Sequence, residues 1–307
     1  MKILTYVFLV AACLVLTVVG GNGDSSQFSP WADPVNLGPV VNSAFIDNTP
    51  CISRDGLSLY FYSTRPGNGD LYVSQRPTAS DPWGTPVNLA TINNTDVQEY
   101  WPTLSPDGHR LYFSRFINHD GNSNYDLYLS RRHNKKDAFG WESAVPVAEL
   151  NTLDFNDVAL EFFEDESMGR LTAYFTSNGS GNPDLFMTWL QEDDTFAPPT
   201  PVTELNTLLP ERLATIRRDG LEVFFNRALP GASGSGPIFT ATRSSTLEPW
   251  STPVPVPGPI NLDPSQFSNL APRLSFDGTE LYFSSTRGGG SGLNDIWVST
   301  RTKLRDN

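Results

Sequence analysis

The stretch Thr103-Leu104-Ser105-Pro106-Asp107-Gly108, followed closely by Leu111-Tyr112-Phe113-Ser114, decides the fold of this chain. It joins an apolar run to an aromatic run through an Asp-Gly pair, which tight hairpin turns favour because they need a positive φ. The same signal recurs along the sequence and indicates an internal repeat. The aligned turn positions are Asp55, Asp107, Asp165, Asp219 and Asp277. The third copy is degraded, since Glu164-Asp165-Glu166 replaces the Asp-Gly turn.

Two further signals accompany the hairpins. A third apolar strand follows each hairpin, as in Asp70-Leu71-Tyr72-Val73-Ser74, and four of the five copies begin this strand with Asp. An aromatic residue followed by Pro-Val predicts a short outer strand, because proline is tolerated at a sheet edge. These aromatic residues are Trp31, Trp83, Trp141, Phe196 and Trp250. The repeat therefore predicts units of four antiparallel strands.

The hairpins and the outer strands are out of phase with each other. Trp31 has no hairpin before it, and the hairpin at Asp277 has no outer strand after it. Ring closure explains both ends, because the N-terminal segment can supply the outer strand of the last unit and remove the open sheet edge. We therefore predict an all-β fold, a five-bladed β-propeller closed by its N-terminal strand. A solenoid, which needs capped ends, is the second choice.

These motifs resemble the WD40-like β-propeller repeat family, and in particular the TolB-type propeller repeats. The resemblance rests on residues 104–108, on Asp70 to Ser74 and on Leu281-Tyr282-Phe283-Ser284-Ser285-Thr286-Arg287, and it extends from about Phe28 to Arg301. It implies the fold but no single function, because this repeat occurs in scaffolds, binding proteins and enzyme domains. The chain departs from the pattern in its third copy, which lacks the Asp-Gly turn, and in its fourth, which lacks the Asp at the start of the third strand. TolB also carries an N-terminal domain, which we do not expect in this sequence.

The N-terminus predicts an export signal over residues 1–21. A short positive end is followed by an apolar run and then by small residues that suit cleavage. Residues 22–307 are predicted to form one propeller domain in the periplasm or outside the cell. A retained membrane anchor and a lipidated Cys13 are the alternatives. If Cys13 leaves with the signal, Cys51 stands alone and no internal disulfide can form.

The net charge of −13 narrows the choice of partners. An acidic surface repels phosphate backbones and anionic headgroups, so we expect no nucleic acid and no membrane insertion after removal of the signal. The charge is compatible with a protein partner or a glycan ligand, and it is also compatible with solubility alone.

The candidate site is a ring of side chains placed eight residues before each turn position. We expect these residues to begin the innermost strands and to surround one mouth of the central channel, where clustered carboxylates raise one another's pKa or recruit a cation such as Ca²⁺. The alternative is that each carboxylate caps its own strand or pairs with a nearby arginine. The ring consists of Asp47, Glu99, Asp157, Glu211 and Asn269, and Arg212, Tyr100 and Trp101 lie beside it.

These features predict a non-enzymatic binding or scaffold propeller that holds a cation or a glycan at an acidic channel mouth, without another cofactor. Asp47, Glu99, Asp157, Glu211 and Arg212 are the predicted ligand-binding residues. The alternative is a carbohydrate-active enzyme, since glycoside hydrolysis needs an acid and a base or nucleophile. A weaker calcium signal, with alternating oxygen ligands, lies in Asp120-Gly121-Asn122-Ser123-Asn124-Tyr125-Asp126.

Overall fold

The strands follow the repeat predicted from the sequence. The computed structural model describes residues 27–65, 68–94, 96–119, 121–230, 236–262 and 268–304. These ranges form five antiparallel sheets of four strands each, and the predicted five-bladed propeller is confirmed. In the described part of the chain, the helix is the single 3₁₀ turn Pro259–Asn261. No helix in the same ranges is long and apolar enough to cross a bilayer. The predicted export signal, residues 1–21, lies outside the described residues.

Each blade is numbered in chain order, and its strands are given in hydrogen-bonded order. Blade 1 contains β2 (Asp47–Ile52), β3 (Ser58–Ser63), β4 (Asp70–Gln75) and β5 (Val87–Asn88). Blade 2 contains β6 (Glu99–Leu104), β7 (Arg110–His119), β8 (Asn122–Arg131) and β9 (Val145–Pro146). Blade 3 contains β10 (Asp157–Asp165), β11 (Arg170–Ser177), β12 (Asp184–Trp189) and β13 (Thr200–Pro201). Blade 4 contains β14 (Glu211–Ile216), β15 (Glu222–Arg227), β16 (Ile238–Thr242) and β17 (Val254–Pro255). Blade 5 contains β18 (Asn269–Leu274), β19 (Glu280–Ser285), β20 (Asp295–Thr300) and β1 (Val35–Asn36).

The ring closes where the sequence places the seam. In blade 5 the N-terminal strand β1 pairs with β20, with Val35 opposite Val298 and Asn36 opposite Trp297. A further bridge joins Phe28 to Lys303. The first strands of neighbouring blades contact one another around the ring, so they form the wall of a central channel. The two ends of the described chain therefore share one sheet, as the phase offset predicts.

Every innermost strand contains the same β-bulge at its third residue. The five bulged residues have φ between 49° and 59°, and the strand register shifts beside each of them. The bulge turns the backbone N–H away from its own ladder and toward the preceding blade. The N–H of Thr49, for example, donates to the hydroxyl of Ser284 at 2.9 Å, and that of Leu213 donates to Thr176 at 3.0 Å. Four of the five bulges therefore link neighbouring blades around the channel by this bond.

The hydrophobic core lies between adjacent blades. Tyr60 and Leu71 of blade 1 pack in one buried cluster with Leu111 and Phe113 of blade 2. The aromatic residues of the second strands are the largest fully buried side chains. The apolar and aromatic runs that define the repeat therefore form the contacts that hold each blade to the next.

An arginine at the end of the third strand joins the two sequence signals of a blade. In blade 1, Arg76 Nε donates to the carbonyl of Gly56 in the Asp-Gly turn at 2.8 Å, and its guanidinium carbon lies 4.3 Å from the ring centroid of Trp83. The same arrangement recurs at Arg132, Arg243 and Arg301. Blade 3 has Leu190 in place of this arginine, so the turn lost from its sequence and the arginine that would bind it are absent together.

Blade 2 carries the main departure from five-fold symmetry. Its hairpin strands β7 and β8 have ten residues each, whereas the hairpin strands of blade 1 have six. The segment in which the sequence suggested a calcium loop forms part of this hairpin, because Asn122 to Asp126 belong to β8. These residues form a strand rather than a loop, and the side-chain amide of Asn124 donates to the carbonyls of Thr152, Leu153 and Phe155. Asp120 lies outside the described residues.

Candidate functional site

The central channel has one opening where the innermost strands begin, and we call this opening the upper mouth. The predicted ring residues are the first residues of those strands, as the sequence alignment requires. Their side chains are buried, with exposed fractions of 1% or less. A ligand-binding role for the ring stays a prediction, and the contacts of each side chain show what it does in the folded chain.

In blade 1 the carboxylate of Asp47 is surrounded by donors of its own blade. Its Oδ2 accepts hydrogen bonds from the N–H and the hydroxyl of Ser43 at 2.5 and 2.6 Å. Its Oδ1 accepts from Ser63 at 2.6 Å and from Arg65 at 2.7 Å. Arg65 also donates to the carbonyl of Val41, so it fastens the incoming loop to the innermost strand. Blade 4 repeats the arrangement with Glu211, Thr207, Arg227 and Leu205.

A second clamp was missed by the sequence reasoning. The side chain of Asn93 accepts from the N–H of Leu71 at 3.0 Å and donates to its carbonyl at 2.9 Å, so it completes the backbone bonding of the third strand. The same two bonds occur in all five blades. The available signal was an apolar residue followed by Asn shortly before each ring position. The asparagines are Asn42, Asn93, Asn151, Asn206 and Asn261.

Two ring carboxylates are held less completely. Glu99 Oε1 accepts from Arg115 Nε at 2.8 Å and from the N–H of Asn94 at 3.1 Å, but its buried Oε2 has no hydrogen-bond partner. Burial raises the pKa of Glu99 to about 7, and Arg115 opposes the shift only in part. In blade 3, Asp157 bonds to Thr152, and burial raises the pKa of Asp157 as well. Both shifts follow from desolvation of the charged form.

The acidic mouth expected from the sequence is largely neutralised within the blades. Three ring carboxylates form ion pairs at 2.6 to 2.8 Å with Arg65, Arg115 and Arg227. The neutral ring residue Asn269 accepts from Arg287 at 3.1 Å. Apart from Glu99 Oε2, the carboxylate oxygens of these ion pairs are thus occupied by hydrogen-bond donors, which does not fit a calcium ion. Across the described ranges, no three His, Cys, Asp or Glu side chains converge in a group that could hold a metal.

Arg212, the remaining predicted ligand residue, differs from the clamping arginines. Its side chain is partly buried, and its Nε is inaccessible to solvent without a hydrogen-bond partner. Burial lowers the pKa of Arg212, and no nearby carboxylate counters this shift. The equivalent positions in the neighbouring blades are the apolar residues Val158 and Leu270. Arg212 is therefore a cation in a poorly hydrated setting at the upper mouth.

Five aromatic side chains gather on one side of the upper mouth, and we call them the aromatic cluster. The rings of Tyr62 and Tyr100 are stacked with centroids 3.5 Å apart, and Trp101 lies 4.7 Å from Tyr100. The extended hairpin of blade 2 adds Tyr125, 5.2 Å from Trp101, and Phe116, 5.2 Å from Tyr125. All except Tyr62 are partly exposed. Tyr100 and Trp101 were named from the sequence, whereas Phe116 and Tyr125 follow only from the length of the hairpin.

Below the upper mouth the channel is filled by side chains. The bulged residues Ala159, Leu213 and Ala271 form an apolar cluster with Val158, and they leave a cavity of about 20 Å³ beside Trp101. Two buried polar atoms beside the aromatic cluster have no partner among the protein groups: Asn48 Oδ1 and Trp101 Nε1. The upper mouth is therefore a shallow aromatic surface with unused hydrogen-bonding groups rather than an open tunnel.

The raised pKa of Glu99 makes the stability of the protein depend on pH. Its folded pKa of about 7 exceeds its ordinary value of 4.5, so the stabilisation is complete below 4.5 and is lost as pH rises through 7. When the pH rises from 5 to 8, we expect the wild type to lose about 2–3 kcal/mol more unfolding free energy than Glu99→Gln loses. Urea unfolding of both proteins at the two pH values measures this change. An identical pH dependence in the two proteins would contradict it.

Comparisons with known proteins show what the chain resembles. It matches no protein-family model, and curated protein sequences give no significant match. A thermostable family-43 glycoside hydrolase of known structure aligns at 13% identity with a TM-score of 0.60, over 89% of this chain and 94% of that one. CoXyl43, a β-xylosidase/α-arabinofuranosidase of glycoside hydrolase family 43 from a compost microbial metagenome, aligns at 15% identity with a TM-score of 0.55, over 90% and 95% of the two chains.

Of the predicted likeness to TolB-type repeats, the propeller fold is confirmed by the five four-stranded sheets. TolB from Acinetobacter baumannii aligns at 13% identity over 84% of this chain and 55% of its own, but its TM-score of 0.47 is too low to support an argument. Identities of this size show a shared fold and not a shared activity. The chain therefore has the five-bladed propeller architecture that these glycoside hydrolases also have.

Proposed function

We propose that this protein is a carbohydrate-directed propeller that binds a saccharide at the upper mouth. The observation that carries the proposal is the aromatic cluster, which offers partly exposed rings beside buried polar atoms without partners. Aromatic faces suit the apolar faces of sugar rings, while a few placed polar groups fix the orientation of a ligand. Asn48 Oδ1 is an acceptor and Trp101 Nε1 is a donor, but both atoms are buried, so a sugar hydroxyl bonds to them only if the aromatic side chains shift.

The contacts of the ring carboxylates support binding more than hydrolysis. A glycosidase needs two carboxyl groups that face the substrate from opposite sides of the scissile bond. Here Asp47 and Glu211 are buried and engaged by hydroxyl groups and arginines. The contacts of the ring therefore favour a non-enzymatic binding protein, whereas the comparisons favour the carbohydrate-active enzyme. Export to the periplasm or the cell exterior is part of the proposal and rests on the sequence of residues 1–21 alone.

Hydrolysis is the second candidate, and two observations favour it. Solved structures with a similar fold include glycoside hydrolases of family 43. Glu99 lies next to the aromatic cluster, and its pKa of about 7 is in the range used by a general acid. Hydrolysis predicts release of reducing sugar that Glu99→Gln abolishes, whereas binding alone predicts no release by either protein.

Binding to a glycan array tests the proposal. We expect wild-type protein to bind a subset of saccharides, and we expect Trp101→Ala and Tyr125→Ala each to weaken that binding about tenfold or more, because each removes a stacking surface. Trp189→Ala is the matched control, since Trp189 stacks on Arg170 away from the cluster, 4.1 Å from its guanidinium. Absence of saccharide binding by the wild type, or equal losses in the control, would overturn the proposal.

A further inference from the structure

The electrostatics of the upper mouth differ from those of the whole molecule. The chain carries a net charge of −13. At the upper mouth, however, three of the four ring carboxylates pair with the arginines that clamp them, a fourth clamping arginine binds the neutral Asn269, and Arg212 adds a fifth guanidinium. The carboxylate of Asp157 is the one without an arginine, and burial favours its neutral form by raising its pKa. Most of the ring's negative charge is therefore paired, whereas no carboxylate of the described residues forms an ion pair with Arg212.

Arg212 carries its positive charge without making a stabilising ion pair in the described part of the protein. Arg65, Arg115 and Arg227 each pair with a buried carboxylate and bind a loop carbonyl. Arg212 makes no such contact, and its buried Nε has no partner. Burying an unpaired cation costs free energy, because protein groups do not replace the lost water. Because Arg212 is only partly buried, its guanidinium at the mouth of the channel can pair with an anionic ligand.

We propose that the ligand of the upper mouth is an acidic saccharide whose carboxylate pairs with Arg212. The guanidinium can donate two parallel hydrogen bonds to one carboxylate, and such charge-assisted pairs are stronger than neutral ones. The aromatic cluster then holds the sugar ring while Arg212 selects its charge. This inference rests on the proposed function and adds the class of sugar.

Thermal unfolding without any ligand is the first test. Because Arg212 is desolvated and unpaired, Arg212→Gln should raise the melting temperature by about 2–4 °C. Arg227→Gln is the matched control in the same blade, and it should lower the melting temperature because it strands the buried carboxylate of Glu211. A lower melting temperature for Arg212→Gln would show that Arg212 has a structural role, and it would overturn the inference.

Binding of a matched ligand pair is the second test. Trigalacturonic acid and its methyl ester have the same shape and differ in charge, so their affinities isolate the contribution of the carboxylate. At 0.15 M salt we expect wild type to prefer the free acid about tenfold, and Arg212→Gln to bind both forms equally. Long-range repulsion by the net charge of the chain disfavours the acid, so this preference can come only from a short-range contact.

The outcomes separate this inference from the proposed function. If array binding is confined to neutral glycans, or if Arg212→Gln keeps the preference for the acid, the acidic-sugar inference fails and the carbohydrate-binding function stands. If wild type binds no saccharide, both fail. If Trp101→Ala loses both forms of the ligand and Arg212→Gln loses only the discrimination between them, both are supported.

Discussion

Trp31→Ala is expected to lower the unfolding free energy by about 3–5 kcal/mol and to open the ring at its seam. Trp31 is 8% exposed, and its ring centroid lies 4.4 Å from the guanidinium carbon of Arg301 and 5.9 Å from the ring centroid of Phe224. The N-terminal strand has two residues, so these side-chain contacts hold it in blade 5. Urea unfolding measures the loss of stability, and limited proteolysis measures release of the strand.

Trp250→Ala is the matched control for this prediction. Trp250 is 6% exposed and stacks on Arg243 in blade 4, where the chain continues on both sides. Both variants should lose similar stability, but only Trp31→Ala should become sensitive to protease between residues 27 and 36. Equal protease sensitivity of that segment in the two variants would show that Trp31 does not hold the seam.

Arg273→Met is expected to cost about 3–5 kcal/mol because it leaves Glu161 charged and unpaired inside the channel. Arg273 and Glu161 form an ion pair between blades 5 and 3, and burial lowers the pKa of Arg273. Thr103 of blade 2 accepts from Arg273 at 2.7 Å, and Thr215 of blade 4 donates to Glu161 at 3.1 Å. The pair therefore joins four blades across the axis, and urea unfolding of the variant measures its contribution.

The double variant Glu161→Leu/Arg273→Met shows whether the loss comes from the stranded charge. We expect it to recover most of the stability lost in Arg273→Met, because no buried charge remains. The exposed pair of Arg131 with Asp194 serves as a control, and Arg131→Met should cost less than about 1 kcal/mol. Equal losses in the single and double variants would mean that the arginine stem, and not its charge, stabilises the channel.

The sequence predicted the blades because their signals are local. An Asp-Gly turn between apolar runs specifies a hairpin by backbone geometry. The outer-strand signal at Trp31 has no hairpin before it, and because hairpins and outer strands occur in equal numbers, this offset indicates ring closure. The starts of the innermost strands were correct for the same reason. The resemblance to a repeat family added no more than the fold, because the repeat motifs are the residues that build blades.

The chemistry of the upper mouth could not be predicted from the same pattern. The carboxylates of Asp47 and Glu211 are engaged by arginines placed sixteen or more residues later in the chain, and only the paired strands bring them together. A recurring acidic position therefore indicates a recurring structural contact as readily as a shared site. The residues that break the repeat, such as Tyr125 and Arg212, carry more information about the ligand. They do not recur from blade to blade, so the repeat pattern does not point to them.

The β-bulge of β6, the innermost strand of blade 2, has a consequence for the site at the upper mouth. Four junctions between blades use a short hydroxyl or amide to receive the bulged N–H, as Ser284 does for Thr49. The junction between blades 1 and 2 has Tyr62 at that position, and its ring lies flat against Tyr100. The junction between blades 1 and 2 thus has an aromatic contact where the other four junctions have a hydrogen bond. The four hydrogen-bonded junctions can keep the ring rigid, so the residues at the fifth junction are free to vary with the ligand.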